Sequence, residues 1–302
     1  MKILITGGTG FIGKELSLKL LEEGHTLYVL TRSVKKGFNE RINFLLWDGK
    51  EIKEDLKEID AVINLAGESI FSLFYNENKK KRIIESRVNA GRGIIEYIKR
   101  KKVRPKLLIQ ASAIGYYGNS YEEKDEFSPP GNDFLSKVCI EWEKSTEEVE
   151  KIGIRRCIVR IGIVFGKGGF ISKILSFPQV PFLFLIGEPQ NFISFIHIKD
   201  LINAIIFLLK NKNSKGVYNL VSPNPIKLID FYKTLSKILN KRLLRFPNFI
   251  FKILMGNMAD EIVFFNNRII PRRILEENFK FLYPDLERSL KDILLNYENK
   301  KE

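Results

Sequence analysis

Residues 2–6, Lys-Ile-Leu-Ile-Thr, lead without a break into Gly7-Gly-Thr-Gly-Phe-Ile-Gly13, and this junction restricts the possible folds more than any other stretch. A short apolar, β-branched run bounded by glycine predicts a buried parallel strand. From residue 11 to 23 apolar residues recur at helical spacing, so the order is strand, glycine turn, helix. Such a turn gathers unpaired N–H groups and the positive end of the helix dipole at one point, where a pyrophosphate can sit. Gly7 permits the tight turn, Gly10 keeps a Cβ away from the phosphates, and Gly13 lets helix and strand pack closely. Thr9, Phe11 and Ile12 complete the candidate phosphate loop. The predicted fold class is α/β, a doubly wound parallel sheet.

The 302 residues suit a domain plus a lobe, and 28% charged with 44% hydrophobic residues is globular rather than disordered composition. We expect a dinucleotide-binding domain over residues 1–170, its sheet completed by segments near 192–222, and a smaller, mostly helical C-terminal lobe over 171–302. No apolar run approaches the roughly 20 residues that span a bilayer. A strand at the N-terminus leaves no room for a cleavable signal peptide, so a cytoplasmic location is expected. Two cysteines without ligand spacing and two histidines argue against a zinc site, and no metal is predicted. The net charge of +14 is spread over helix faces, as in residues 79–82 and 99–102, which reads as a solvated basic surface. A nucleic-acid or membrane partner is therefore not expected, whereas a small-molecule substrate is; the oligomeric state stays open.

The second predicted strand, residues 26–31, ends at Thr31-Arg32. An NAD site wants an acid here for the ribose 2′-hydroxyl, yet no acid occurs between Gly24 and Phe38, whereas Arg32, Lys35 and Lys36 do. Arg32 can grip a 2′-phosphate bidentately, which favours NADP (NADPH) as cofactor. Strands over 42–46 and 59–65 follow, and ligands of open parallel sheets bind beyond the strands' carboxyl ends. Asp48 is thus placed to hold the adenine amino group. Leu65, Ala66, Gly67 and Glu68 should border the cofactor, Ala66 and Gly67 being small where backbone passes close to it. Glu68 could equally cap the next segment.

A long amphipathic helix over 77–101 buries Ile83, Ile84, Val88, Ile94, Ile95 and Ile98. The fifth strand, 106–112, then delivers Ser112 to its carboxyl end, facing the expected nicotinamide, followed by Tyr116 and Tyr117. The sixth strand covers 155–161, and glycines 162, 166, 168 and 169 form a turn that could meet cofactor or substrate. Beyond 171 the pieces become shorter, with a strand at 192–198, helices at 199–210 and 225–239, a strand at 217–221, and further helices at 249–265 and 286–295. Phe249, Phe251, Leu254, Met255, Phe264 and Phe265 read as core, and His197 as a hydrogen-bonded structural histidine.

Together with the opening glycine motif, Asn64-Leu-Ala-Gly-Glu-Ser-Ile70, residues 111–118, Ser128-Pro-Pro-Gly-Asn-Asp-Phe134, Arg160-Ile-Gly-Ile-Val-Phe-Gly166, Ser194-Phe-Ile-His-Ile-Lys-Asp200 and residues 270–279 carry a resemblance over nearly the whole chain. The chain resembles the extended, atypical short-chain dehydrogenase/reductases, in particular the NAD(P)-dependent epimerase-like branch with a C-terminal domain of unknown function. That resemblance implies a Rossmann sheet and an NADP(H)-dependent oxidoreductase or epimerase-like activity on a small carbonyl or sugar-like substrate. In ordinary members a Tyr-x-x-x-Lys pair on the helix after the fifth strand supplies the acid/base chemistry. Matching the family's glutamate to Glu143 puts these positions on Leu135 and Cys139, neither of which can do it. The resemblance leaves Ser112 to orient substrate and Tyr116 or Tyr117 to supply the proton. A catalytically silent NADP(H)-binding sensor or scaffold is the alternative.

Overall fold

The computed structural model describes residues 1–33, 39–70, 72, 75–175 and 181–298. Lys35 and Lys36, read above as part of the cationic turn, lie outside the described residues. Among the described residues the central sheet has seven strands: β1 Lys2–Thr6, β2 Thr26–Thr31, β3 Asn43–Leu46, β4 Ala61–Asn64, β5 Leu107–Ala113, β6 Arg155–Ile161 and β7 Gly216–Leu220. All neighbours are parallel, in the order β7-β6-β5-β4-β1-β2-β3. The chain winds outward from β1 to β3, then crosses back to β4 and winds the other way. The crevice outside the carboxyl ends of β1 and β4 is therefore the topological switch point, where such sheets bind ligands.

Continuous apolar runs form these strands because both faces are covered. Ile3 and Ile5 of β1 point to one face, with Ile63, Ile109 and Val159. There they meet Leu16 and Leu20 of α1 (Phe11–Glu22) and Leu201, Ile205 and Leu208 of α4 (Ile198–Lys210). Leu4, Val62 and Leu108 point to the other face, against Ile94, Ile95 and Ile98 of α2 (Glu77–Lys99). Gly24, at φ +79°, ends α1 in the left-handed conformation that a side chain resists. Asn76 starts α2 by accepting the Lys79 N–H at 2.8 Å. On α2, Ile84 is only half-buried; the interior takes Ile83 instead.

The lobe has its own core around Phe165, Phe195, Phe231 and Leu290, where the rings of Phe165 and Phe195 stack at 4.6 Å. Helices α5 (Leu228–Leu239) and α6 (Leu286–Glu298) contribute to it. Four expectations need correction. Residues 192–198 do not return to the central sheet: Phe192–Ile193 pairs with Ile226–Lys227 and Phe195–His197 with Ile163–Phe165. Between them Ser194 turns its hydroxyl to the Asn267 carbonyl at 2.9 Å and accepts the Ile269 N–H, so the run is broken by a partner 73 residues away. The helix expected from 225 begins at Leu228, because Pro225 lacks the N–H a helix interior needs and the next two residues are paired as strand. The helix expected over 249–265 is two, Phe249–Met255 and Met258–Ile262, parted at Gly256 with φ +56°. The first lies on the surface, so Phe251 and Met255 turn inward while Phe249 and Leu254 are exposed. Periodicity also did not reveal the lobe strands Arg242–Arg245 beside Phe182–Leu185, or Asn267–Ile269, which pairs with Ser120–Lys124 from the first 170 residues.

Candidate active site

The glycine junction forms a cradle. Gly7 has φ +68°, and a Cβ there would stand 2.6 Å from the Leu65 carbonyl oxygen, so the turn presses on the loop after β4. At Gly13 a Cβ would come 2.3 Å from the Gly7 carbonyl; the close packing it permits is of helix on its own turn. Gly10, the N-cap of α1, has only that carbonyl nearby, at 3.2 Å, and the space outside it is open. No side chain caps the helix and no acid occupies its first turn. Uncapped amides with the dipole's positive end make an anion seat. Glycines 166, 168 and 169 close around the Phe11 ring, where Cβ atoms would lie 2.9, 3.2 and 2.8 Å from it. Their backbone thus reaches the first turn of α1.

Beside the cradle, Thr6, Asn64 and Gln110 are in register across β1, β4 and β5. Thr6 Oγ1 donates to Asn64 Oδ1 at 2.5 Å, Asn64 Nδ2 donates to Gln110 Oε1 at 2.8 Å, and the Ala66 N–H donates to Thr6 Oγ1 at 3.2 Å. This buried row fixes the loop after β4 against the glycine turn. At the tip of β2, Thr31 folds its hydroxyl onto the Ser33 carbonyl at 2.8 Å, while Arg32 is exposed and forms no ion pair with a described residue. Asp48, exposed beyond β3, accepts the Glu51 and Lys50 N–H groups at 3.0 and 2.8 Å, and these bonds hold its carboxyl below the usual range. Glu68 does not cap α2, since Asn76 does. Its carboxylate meets Lys79 at 2.6 Å and Arg82 at 3.5 Å, and the Lys79 bond keeps it ionised below its ordinary value. Gly67 is small for a reason the sequence concealed: a Cβ there would stand 3.0 Å from Cζ of Arg87 on α2.

A second polar row crosses the other half of the sheet, where Ser112 on β5 is opposite Arg160 on β6, and Arg160 is opposite Asn219 on β7. Arg160 forks onto Glu143 of α3 (Phe134–Lys144), Nε to Oε1 at 2.9 Å and Nη2 to Oε2 at 3.0 Å. Ser112 Oγ donates to the same Oε1 at 2.7 Å. Arg160 Nη1 donates to the Tyr117 hydroxyl at 2.9 Å, which donates to Asn219 Oδ1 at 2.7 Å. Burial pushes the Tyr117 phenol up to about 12. Desolvation works against Arg160, yet its bonds to Glu143 hold it above the usual arginine value. Asn219 also ties in Glu126, whose Oε1 accepts its N–H at 2.9 Å; burial raises that carboxyl, and its Oε2 has no hydrogen-bond partner among the described residues.

Of the three hydroxyls singled out from sequence, Ser112 and Tyr117 are buried and bonded within this row. Tyr116 differs. It is half-buried, its ring lies 3.3 Å from the Arg160 guanidinium, and its hydroxyl bonds to no described residue. Leu135 and Cys139 indeed face the segment after β5, lying 3.3 and 3.8 Å from where a Gly115 Cβ would stand. Arg160 and Asn219, which join Ser112 and Tyr117 in this row, were not singled out from sequence. An arginine set between Val159 and Ile161, away from the Arg155-Arg156 pair that opens the strand, was the available signal for the first. His197 is buried at the start of α4, accepting the Lys199 N–H at 3.2 Å, with Asp292 Oδ2 3.3 Å from Nε2.

Comparison with known proteins agrees with this geometry. The model for the NAD dependent epimerase/dehydratase family matches residues 3–220, and that for a domain of unknown function matches residues 246–293. The epimerase family protein YfhF of Bacillus subtilis is 34% identical over 97% of this chain and 98% of its own. A chloroplastic homologue of the epimerase family protein SDR39U1 from Arabidopsis thaliana is 35% identical over 97% of this chain and 87% of its own. The human SDR39U1 structure, isoform 2 with NADPH, superposes with a TM-score of 0.86 at 28% identity, covering 98% of this chain and 100% of that one.

Proposed function

The chain belongs to the NAD dependent epimerase/dehydratase family, and from that premise we propose that it is an NADP(H)-dependent oxidoreductase or epimerase-like enzyme acting on a small carbonyl or sugar-like substrate. The observation that carries this is the uncapped, acid-free first turn of α1, together with an exposed Arg32 that forms no ion pair with a described residue. Amides 11–13 take the pyrophosphate and Arg32 takes the 2′-phosphate. The human relative crystallised with NADPH supports the same choice. When bound, the coenzyme supplies or accepts a hydride at its nicotinamide.

The chain's own residues divide the remaining work. Glu143, forked to Arg160, accepts the hydrogen bond of the Ser112 hydroxyl and leaves that oxygen's lone pairs to face an approaching group. Tyr116, rather than Tyr117, donates the proton to the substrate oxygen, because its hydroxyl alone is unspent. Arg160, against its ring face, offsets the charge a departing proton leaves. NADPH oxidation against carbonyl and nucleotide-sugar panels tests this: turnover is expected in wild type and lost in Tyr116→Phe with NADPH affinity intact. The second reading, a silent NADP(H) sensor, draws on Ser112 and Tyr117 both being buried. Tight NADPH binding with no hydride transfer to any acceptor would establish it.

A further inference from the structure

Asn267 is buried with its carboxamide unspent. It is 6% exposed; Oδ1 is sealed from solvent without a hydrogen-bond partner among the described residues, and Nδ2 bonds to no described residue. Its backbone, by contrast, is firmly held. The Asn267 carbonyl accepts the Ser194 hydroxyl at 2.9 Å. The preceding Asn266 donates its N–H to Asn119 Oδ1 at 2.6 Å and spends its own Oδ1 on the Phe192 N–H at 2.6 Å. Asn119 closes the same short segment as Tyr116 and Tyr117. Along the strand, Arg268 is exposed and paired with Glu123 at 3.1 Å, so Asn267 and Ile269 share the inward face. Ile269 packs there with Ile114, Tyr117 and Val221, against which the Tyr116 ring also lies. This face covers the carboxyl ends of β6 and β7: a Cβ on Gly162, the residue after β6, would stand 2.7 Å from both the Ser194 carbonyl oxygen and Val221 Cγ1. The carboxamide is thus held on the Tyr116 side of the crevice, and the one charge on its strand, Arg268, points away. A buried amide without partners costs stability. It offers an acceptor and donors side by side, the complement of a hydroxyl, and brings no charge for a phosphate or carboxylate.

We propose that Asn267 is a substrate-binding residue and that it takes an uncharged hydroxyl of the substrate, beside the carbonyl that Tyr116 protonates. The inference rests on the NADP(H)-dependent reading and narrows its substrate class to hydroxylated ketones and aldehydes, against plain apolar carbonyl compounds. Wild type, Asn267→Leu and Asn267→Gln are assayed for NADPH oxidation with two matched pairs, hydroxyacetone against butanone and glyceraldehyde against butanal, with NADPH affinity and Tm measured for each protein. Wild type should favour the hydroxylated member of at least one pair in kcat/KM. Asn267→Leu should shrink that preference by about tenfold or more, the range of a buried hydrogen bond, chiefly through KM. Leucine keeps the side chain's shape and breaks no internal hydrogen bond, so NADPH affinity should hold and Tm should stay or rise. Asn267→Gln should recover part of the preference. A preference that survives in Asn267→Leu, or that wild type lacks while reducing these compounds, overturns the proposal; a lower Tm with the preference intact makes Asn267 a structural amide. Should wild type reduce none of the four, D-glucose titrated onto the NADP-loaded protein decides the matter through the NMR signal of the Asn267 side-chain amide, assigned by its loss on substitution. A shift of that signal supports the hydroxyl site, and an unmoved signal overturns it. Should wild type bind neither nicotinamide coenzyme, the NADP(H) reading fails by itself, and the same titration on the free protein still decides this one.

Discussion

Glu143→Gln removes one half of a buried ion pair and leaves the other in place. Arg160 is 3% exposed, and its other partner, the Tyr117 hydroxyl, carries no charge to replace the carboxylate. Breaking a buried pair on one side costs about 3–5 kcal/mol, a large share of a typical total stability of about 5–15 kcal/mol. Unfolding entropy of about 2.1 cal/mol/K per residue over 302 residues is ~0.6 kcal/mol/K, so Tm should fall by about 5–8 °C. Calorimetric melting of Glu143→Gln, Arg160→Met and the double variant measures it. Because the double variant buries no stranded charge, it should lose less than the two single losses combined, by about 1–3 kcal/mol of coupling. A Glu143→Gln variant that melts with wild type, or strict additivity in the cycle, would refute the view that this fork sets the row Ser112, Arg160 and Asn219.

Gly13→Ala places a Cβ 2.3 Å from the Gly7 carbonyl, so both Tm and NADPH affinity should fall, affinity by about tenfold or more. Gly10→Ala meets nothing closer than 3.2 Å and should keep its Tm while losing NADPH affinity, because its methyl fills the phosphate seat; equal affinities in wild type and Gly10→Ala would show that the ligand sits elsewhere. His197 is pulled down to about 4 by burial, against the partial support of Asp292. Neutral in the fold, it contributes fully above its ordinary value of 6.5 and loses up to ~3 kcal/mol of stability as pH falls from 6.5 towards 4, where the unfolded chain takes the proton first. Denaturant melts across that window should flatten in His197→Gln, and an unchanged slope would remove His197 as the cause.

What the sequence made legible was local. The run from Lys2 to Gly13 carries strand, turn and helix signals within a dozen residues, and the absence of an acid after Thr31 is equally local. Parallel strands buried on both faces announce themselves as continuous apolar runs, so β1, β2, β5 and β6 were placed within about two residues. Features made by distant partners stayed hidden. Ser194 looks like one polar residue in an alternating strand, yet it breaks that strand because Asn267 and Ile269 lie beside it. Gly67 looked small for a ligand, whereas Arg87, twenty positions on, fills the space over it. Ser112 and Tyr117 were selected by position after β5, but only Glu143 and Asn219, on other elements, reveal that their protons are already placed. The break at Gly256 was readable in principle, since glycine tolerates φ > 0, but a long apolar period outweighed it.

The proposed coenzyme seat comprises amides 11–13 and Arg32, which forms no ion pair with a described residue. Titration calorimetry of the wild-type chain with NADPH and with NADH, repeated on Arg32→Asp, measures that seat directly. Wild type should bind NADPH about 10–150-fold more tightly than NADH, the value of a charge-assisted contact to one phosphate, and Arg32→Asp should abolish or reverse the preference. Equal affinities in wild type, or no heat with either coenzyme, would contradict it.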